Sequence, residues 1–331
     1  MLNQVSDSNH FDTNTYFRDL VRNGLTSNSK NLCSSCFYDQ KGSAIFEKIC
    51  KLPEYYLTRT EIGILRKFSD EIISEIHKNS VIVELGNGSS EKIRLLLDSL
   101  CRRQEKVSYI PIDISYRHMK KSVSVLRELY PNLTITPIGG RYEDSFSVLQ
   151  ESFLPKAIFW FGSSIGNMNN NEAVSFLRQI AQKMRTGDCL IIGMDMVKDW
   201  DIMRKAYDDS QGVTAEFNMN ILRRINCELN ADFDISKFKH KPVCNKECSR
   251  MESFIVSTED QNVSINDLGL EVHFNKNERI HVEVSCKYSS ESITDMADQI
   301  GLQHEKQWTD DKKWFSLNLF RKADAKWRYD G

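Results

Sequence analysis

Two glycines between a predicted strand and a predicted helix are the first residues with a chemical signature. Gly86 and Gly88 belong to the segment 84–88, ELGNG, which ends an apolar run and precedes a helical pattern starting at position 89 or 90. Such glycines let the backbone approach a ligand at a helix N-terminus. The nicotinamide fingerprint G-x-G-x-x-G needs a small residue where this chain has Glu91. The missing third glycine, with the acidic Glu84 before the first, is instead typical of S-adenosylmethionine enzymes.

A carboxylate and an ammonium group accompany this glycine loop. Asp113 closes the next predicted strand, at a spacing from Gly88 that suits hydrogen bonds to both hydroxyls of an adenosine ribose. The alternative is that Asp113 only caps the helix that begins near Tyr116. Lys92 lies one turn into the first helix, where it is either a solvated side chain or a point charge for the methionine carboxylate. The loop, Asp113 and Lys92 together predict S-adenosyl-L-methionine as the cofactor.

A second group of polar side chains alternates along a strand-like run at 281–285. Glu283 and Ser285 are two residues apart, so their side chains are predicted to share one face of a strand, and His281 is expected on that face too. A carboxylate accepts from one ring N–H of an imidazole while a hydroxyl bonds the other nitrogen. The alternative is the solvent-facing polar side of an antiparallel strand.

The elements that must position these residues follow a β/α alternation from position 80 to about 197. Strand-like runs cover 80–85, 107–113, 133–138, 157–162 and 188–194, and helical patterns cover 90–103, 115–130 and 171–184. This alternation is typical of βαβ units on a parallel sheet. The tail, 301–322, predicts two strands joined by a polar turn at 309–312, an antiparallel hairpin that commonly completes such a sheet.

Residues outside the alternating block predict a second domain. The segments 10–60 and 197–286 have helical and strand patterns without β/α alternation, and 331 residues correspond to about two domains. We expect residues 61–196 and 287–325 to form an α/β, Rossmann-like domain with a mostly parallel sheet and the C-terminal hairpin. The two remaining segments are expected to form one α+β domain.

Composition excludes several classes of partner. With 44 Lys and Arg against 46 Asp and Glu, the net charge of -2 offers no field for binding nucleic acid. No apolar run approaches the roughly 20 residues that cross a bilayer, and the N-terminal segment lacks a secretory signal, so we expect a cytoplasmic protein without a membrane partner. A monomer with a small-molecule substrate is the expected state.

The cysteines are expected to be reduced thiols. There are nine, an odd number, in a long chain without a secretory signal. The CxxC at 33–36 and the pair Cys244 and Cys248 formally allow a four-thiolate zinc site. Neither pair lies in the sequence context of a zinc knuckle, so no metal is predicted.

Five stretches of the chain, taken together, resemble a known enzyme family. They are 38–61, 83–94, 161–168, 206–226 and 282–288, and the similarity extends from about position 17 to 322. The chain resembles the histidine Nα-methyltransferases of ergothioneine biosynthesis. The resemblance implies a class I methyltransferase core, a second domain that closes over an amino-acid substrate, and trimethylation of the α-amine of histidine to hercynine by S-adenosylmethionine. The alternatives are another amino acid or a histidine derivative as acceptor, or an interaction protein that has the cofactor fold without catalysis.

The resemblance also assigns roles to individual positions. The residues assigned to the cofactor, with Gly88 added from the loop itself, are Tyr38, Gly86, Gly88, Lys92, Asp113, Arg141 and Tyr142. Those assigned to the α-amino and carboxylate groups of the acceptor, and hence to catalysis, are Tyr55, Asn167 and Tyr207. Glu283 and Ser285 are assigned to the imidazole, and the pocket walls are Phe46, Gly162, Thr214 and Ser253.

Two positions depart from the pattern of the family. The family has Asp-Phe where this chain has Arg141 and Tyr142, so a carboxylate contact to the adenine amine is lost and a backbone carbonyl is left to serve. Ser253 stands where the family has Met beside the imidazole. The smaller hydroxyl side chain enlarges and polarises the pocket, which leaves the identity of the acceptor open.

Overall fold

The computed structural model describes residues 13–146, 149 and 154–322. Its strands are, in chain order, β1 (Val81–Leu85), β2 (Val107–Asp113), β3 (Leu133–Ile135), β4 (Ile138–Gly139), β5 (Lys156–Trp160), β6 (Cys189–Asp195), β7 (Phe238–Asn245), β8 (Arg250–Ser257), β9 (Gln261–Ile265), β10 (Leu270–Phe274), β11 (Arg279–Cys286), β12 (Gln303–Thr309) and β13 (Phe315–Arg321). Its helices are α1 (Thr13–Thr26), α2 (Gln40–Ile49), α3 (Tyr56–Ser74), α4 (Glu91–Arg103), α5 (Tyr116–Leu129), α6 (Asn170–Lys183), α7 (Trp200–Tyr207), α8 (Val213–Leu229) and α9 (Ser290–Ile300).

The largest sheet has the strand order β12-β13-β6-β5-β1-β2-β3, with β4 also paired to β2. The pairs among β1, β2, β3, β5 and β6 are parallel, whereas β13 runs antiparallel to both β6 and β12. The α/β fold with a mostly parallel sheet and a C-terminal antiparallel hairpin is therefore confirmed. Strand order reverses at β1, whose neighbours β2 and β5 continue on opposite sides, and ligands of such sheets bind at the carboxyl ends beside this switch point.

The central strands β1, β5 and β6 are buried on both faces. Every residue of β1 is buried, and its side chains alternate between two cores: Ile82 lies in one, and Val81 and Val83 lie in the other. The core that contains Ile82 continues without interruption into α2, α8 and the sheet of β7, β8 and β11. The large sheet and the elements α2, α8, β7, β8 and β11 therefore share one hydrophobic core.

The predicted strand 133–138 is wrong in one respect, because it is split into β3 and β4. Pro137 lies in the gap between them. Proline has no N–H to donate to a neighbouring strand, so it interrupts the ladder at that point.

The remaining strands form a smaller, antiparallel layer. Its order is β11-β8-β7, with β9 and β10 as a separate ribbon. The register of β11 on β8 shifts between His281 and Glu283: His281 is paired with Phe254, whereas Glu283 is paired with the adjacent Ser253. Neighbouring residues of a strand point to opposite faces. The expectation that His281 shares a face with Glu283 is therefore wrong, because a β-bulge inserts one residue between them.

Within the described ranges, none of the helices has both the length and the apolar character needed to cross a bilayer. The predicted domain ranges also include residues 10–12, 147–148, 150–153 and 323–325, which lie outside the described residues.

Candidate functional site

The glycine loop lies at the carboxyl end of β1 and is tied to the end of β2. Gly86 and Gly88 have φ of +78° and +51°, and a Cβ at Gly86 would lie 2.9 Å from the hydroxyl of Tyr142. The backbone N–H of Gly88 donates to Oδ2 of Asp113 at 3.1 Å, and that of Ser115 donates to Oδ1 at 2.8 Å. Asp113 thus shapes the loop, and each of its oxygens keeps a second lone pair for a ligand.

The acidic residue before the glycines lies beneath this loop. Glu84 is only 2% exposed, and Tyr109 and Asn87 donate hydrogen bonds to its Oε2. Burial raises the pKa of Glu84 to about 8, against the opposing effect of these two donors. Ser122 donates to Oδ1 of Asn87 at 2.7 Å. Glu84 therefore supports the loop from inside the core.

Lys92 is paired with a carboxylate that the sequence patterns did not identify. Its Nζ lies 2.6 Å from Oε2 of Glu61, a fully buried residue of α3. The backbone N–H of Gly162, in the turn after β5, donates to the same carboxylate at 2.9 Å. Burial by itself lowers the pKa of Lys92, but the Glu61 carboxylate outweighs burial and raises it. Lys92 is a charged group fixed between α3, α4 and the turn after β5.

Arg141 and Tyr142, the two positions that depart from the family, point into different surroundings. The backbone N–H of Arg141 donates to Oδ2 of Asp144 at 2.8 Å, and its guanidinium lies 5.5 Å from the ring centre of Tyr16 in α1. The ring of Tyr142 packs edge-on against Trp160, with 5.3 Å between ring centres. The guanidinium therefore faces the N-terminal helix, whereas the phenol fills space behind Gly86.

Aromatic side chains form a wall beside the loop. Phe46 contacts the rings of Tyr38, Tyr55 and Phe217, with centre-to-centre distances of 5.7, 6.2 and 5.7 Å. Phe217, which was not predicted, lies one turn after Thr214 in α8, so both face the same side. Burial, followed by the charge of Glu283, raises the pKa of Tyr38, and burial also raises that of Tyr55. Both phenols therefore remain protonated donors at neutral pH.

A hydroxyl pair lies between α7 and β11. Tyr207, the last residue of α7, donates from its phenol to Oγ of Ser285 at 2.7 Å. Nζ of Lys287 donates to both of these oxygens at 2.8 Å and lies 2.9 Å from Oδ2 of Asp195, at the end of β6. Lys287 lies within the stretch 282–288 but was given no role from the sequence, and Asp195 lies outside all five stretches that carry the resemblance.

Glu283 lies on the same face of β11 as Ser285, opposite Ser253 of β8. The hydroxyl of Ser253 donates to Oε2 of Glu283 at 3.1 Å. Burial raises the pKa of Glu283, while Ser253 and Lys287 act in the opposite direction. Glu283 and Ser285 thus place a carboxylate and a hydroxyl side by side on one face of β11, which we call the polar strip.

Asn167 is brought to this strip by a close backbone contact. It is the last residue of a short 3-10 helix, Ser164–Asn167, after β5. A Cβ at Gly166 would lie 2.9 Å from the carbonyl oxygen of Cys286, so glycine is what allows the 3-10 helix to approach β11. Asn167 is half-buried at that junction. The predicted residues thus lie in two groups, one around the glycine loop and one around β11.

Most of the chain matches a known protein family. The family model described as histidine-specific methyltransferase, SAM-dependent, matches residues 17–322. Histidine N-alpha-methyltransferase of Mycolicibacterium smegmatis is 38% identical over 90% of this chain and 92% of its own length. The protein of the same name from Mycobacterium tuberculosis is 36% identical over 96% of this chain and 100% of its own length. Ergothioneine biosynthesis protein 1 of Neurospora crassa is 30% identical over 89% of this chain but only 33% of its own length.

Proposed function

The chain belongs to the S-adenosylmethionine-dependent, histidine-specific methyltransferases, and on that premise we propose that it methylates the α-amino group of L-histidine, up to the trimethylated betaine hercynine. The observation that carries this proposal is the group of side chains around β11, which we call the acceptor end. There a half-buried carboxylate, Glu283, and a buried hydroxyl, Ser285, share one face of β11 and lie next to Tyr207.

The group of residues around the glycine loop, which we call the cofactor end, fits S-adenosylmethionine. Gly86 has a positive φ and no side chain, so its backbone can approach a ligand directly. Asp113 keeps lone pairs for ribose hydroxyls. An ammonium has three N–H donors and the ion pair with Glu61 occupies one of them, so Lys92 keeps donors for the carboxylate of the cofactor. When bound, the cofactor supplies an electrophilic methyl group on a sulfonium.

The task of the chain's own residues is orientation. The α-amine must present a neutral lone pair, and holding reacting groups in near-attack geometry is worth about 7–11 kcal/mol. We propose that Tyr55 donates to the carboxylate of the amino acid, since burial raises the pKa of its phenol and keeps it protonated. Tyr207 gives its own proton to Ser285 and accepts from Lys287, so its phenol oxygen is proposed to accept from the α-amino group with its second lone pair. Asn167 offers both a donor and an acceptor from one amide. Together these three side chains fix the amine relative to the cofactor end.

The pocket around the ring is polar, which favours histidine over an apolar amino acid. Ser253 does more than widen the pocket, because its hydroxyl donates a hydrogen bond to the Glu283 carboxylate. This bond helps to hold the carboxylate in place. Phe46, Gly162 and Thr214 are proposed as walls. Another amino acid or a histidine derivative as acceptor is the second candidate, and it rests on the room that serine leaves in place of methionine.

We propose that the two parts of the chain divide these tasks. Residues 61–196 and 287–325 would bind the cofactor, and residues 10–60 and 197–286 would bind the amino acid. The separate antiparallel sheet of β7, β8 and β11 supports this division. A cytoplasmic location agrees with nine free thiols. We also propose a monomer, which size-exclusion chromatography with light scattering would test.

The function is tested by incubating the protein with S-adenosylmethionine and a panel of amino acids, followed by mass spectrometry. We expect successive mass increments of one methyl group on histidine, ending at the trimethylated product. Transfer to a different amino acid would favour the second candidate. Failure to bind S-adenosylmethionine in calorimetric titration would instead indicate an interaction protein that has lost catalysis.

Asp113→Ala is expected to weaken S-adenosylmethionine binding by about 10- to 100-fold, because hydrogen bonds to a charged group contribute about 1.5–3 kcal/mol. The dissociation constant would be measured by calorimetric titration. Asp113→Asn keeps one acceptor oxygen and is expected to lose less. An unchanged dissociation constant in folded Asp113→Ala would remove this carboxylate from the cofactor site.

Asn167→Ala is expected to lower the rate of methyl transfer by about tenfold or more while S-adenosylmethionine affinity is maintained, because the contacts proposed for Asn167 are to the acceptor. Steady-state kinetics and calorimetry separate the two effects. The matched control is Asn169→Ala, which removes the cap of α6 and should cost about 1 kcal/mol of stability without slowing transfer. Equal loss of affinity and rate in Asn167→Ala would point to a structural role for the turn.

A further inference from the structure

The ammonium group of Lys287 uses all of its donors inside the protein. The side chain is fully buried, and its Nζ contacts Oδ2 of Asp195 at 2.9 Å and the hydroxyls of Tyr207 and Ser285 at 2.8 Å each. An ammonium has three N–H donors and no acceptor. Lys287 therefore has no donor left for a substrate and acts on a ligand only through the groups that it holds.

These contacts determine what the hydroxyl of Ser285 can offer. The phenol of Tyr207 donates to Oγ of Ser285 at 2.7 Å, which is the expected direction because a phenol is far more acidic than an aliphatic alcohol. Oγ of Ser285 then accepts from Tyr207 and from Lys287, and a hydroxyl oxygen has only two acceptor lone pairs. The one hydrogen-bonding function that Ser285 has left is its own proton.

We infer that Lys287 is a positioning residue that makes Ser285 a donor only, so the pocket binds the neutral imidazole, with an unprotonated ring nitrogen towards Ser285 and the ring N–H towards Glu283. This inference rests on the proposed function, in which Glu283 and Ser285 bind the ring. An imidazolium would bring a second N–H against an oxygen that cannot accept it. A buried donor left without a partner destabilises the complex.

Lys287 is not needed merely to neutralise Asp195. Nζ of Lys198 also pairs with Asp195, and the phenol of Tyr56 donates to Oδ2 of Asp195 at 2.8 Å. Replacing Lys287 by methionine, which has a similar length, leaves these two partners of Asp195 in place. The substitution therefore removes the donor to the hydroxyl pair while the carboxylate keeps a counter-ion.

A double-mutant cycle tests whether Lys287 acts through Ser285. Lys287→Met, Ser285→Ala and the double variant are compared for the KM of histidine, kcat and the dissociation constant of S-adenosylmethionine. We expect each single change to raise KM by about tenfold or more, with a much smaller effect on kcat and cofactor affinity. The KM of the double variant should not exceed the higher of the two single-variant KM values, because the effects of interacting residues are not additive. Lys198→Met is the matched control: it removes the other ammonium from Asp195 without touching Tyr207 or Ser285, and the KM of histidine should not change.

A spectroscopic measurement on the unsubstituted protein needs no variant to fold. Histidine labelled with 15N in the ring, bound together with the demethylated cofactor, should show one protonated and one unprotonated nitrogen at pH values around the ordinary imidazole pKa of about 6.5. Two protonated nitrogens, or KM effects that multiply in the cycle, would overturn the inference while leaving histidine methylation intact. Absence of histidine methylation by the unsubstituted chain would overturn the proposed function and this inference with it.

Discussion

Asp195→Ala is expected to reduce the free energy of unfolding by about 3–5 kcal/mol, because removing one partner of a buried ion pair leaves an uncompensated charge. Asp195 is fully buried and pairs with both Lys198 and Lys287. Burial alone would raise its pKa, but the two ammonium groups outweigh burial and hold the pKa below its usual range. The variant thus leaves two buried cations without their carboxylate. Urea unfolding measures the loss.

The matched control is a second buried pair of the same sheet. Asp188 and Lys156 are 3.0 Å apart and both side chains are 1% exposed, but no contact joins them to the hydroxyl pair of Tyr207 and Ser285 among the described residues. Asp188→Ala should lose similar stability with an unchanged KM for histidine, whereas Asp195→Ala should also raise that KM by releasing Lys287. A stability loss below about 1 kcal/mol for Asp195→Ala would mean that the pair is not the buried, unsolvated contact that the structure describes.

Glu283→Ala is expected to lower kcat/KM for histidine by about 10- to 100-fold relative to amino acids without an imidazole. The effect is asymmetric. Histidine loses a charge-assisted hydrogen bond and its ring N–H is left buried without a partner, while phenylalanine or tryptophan never used the carboxylate for an imidazole contact. Side-by-side kinetics for histidine and phenylalanine in both proteins measure the change in selectivity.

Glu252→Ala provides the comparison for this second experiment. Glu252 is a buried glutamate on the adjacent strand, next to Ser253 but on the opposite face, and it pairs with Arg250. Its removal should leave the ratio of histidine to phenylalanine turnover unchanged. A uniform fall for all acceptors in Glu283→Ala would indicate that Glu283 supports the fold or the cofactor end, and an unchanged value for histidine would contradict the imidazole assignment.

Local patterns were sufficient to predict most of the large sheet. Runs of apolar residues between helical patterns predict β1, β2, β5 and β6 within a residue or two of their observed bounds. The reason is that the periods of strands and helices are visible in short stretches of sequence. The C-terminal hairpin was predicted in the same way from two runs and a polar turn. The errors came where one residue changes the backbone: Pro137 divides a predicted strand, and the bulge in β11 turns His281 to the other face.

The sequence by itself determined the class of the chain, the glycine loop, Asp113 and the alternation of Glu283 with Ser285, since each depends on residue types at short spacing. Tertiary structure alone decided the charge partners: Glu61 with Lys92, and Asp195 with Lys287. The two partners of each pair are far apart along the chain, so no short-range pattern links them. Their pairing follows from burial, because a charge removed from water must find a partner among whatever side chains the fold brings to the same place.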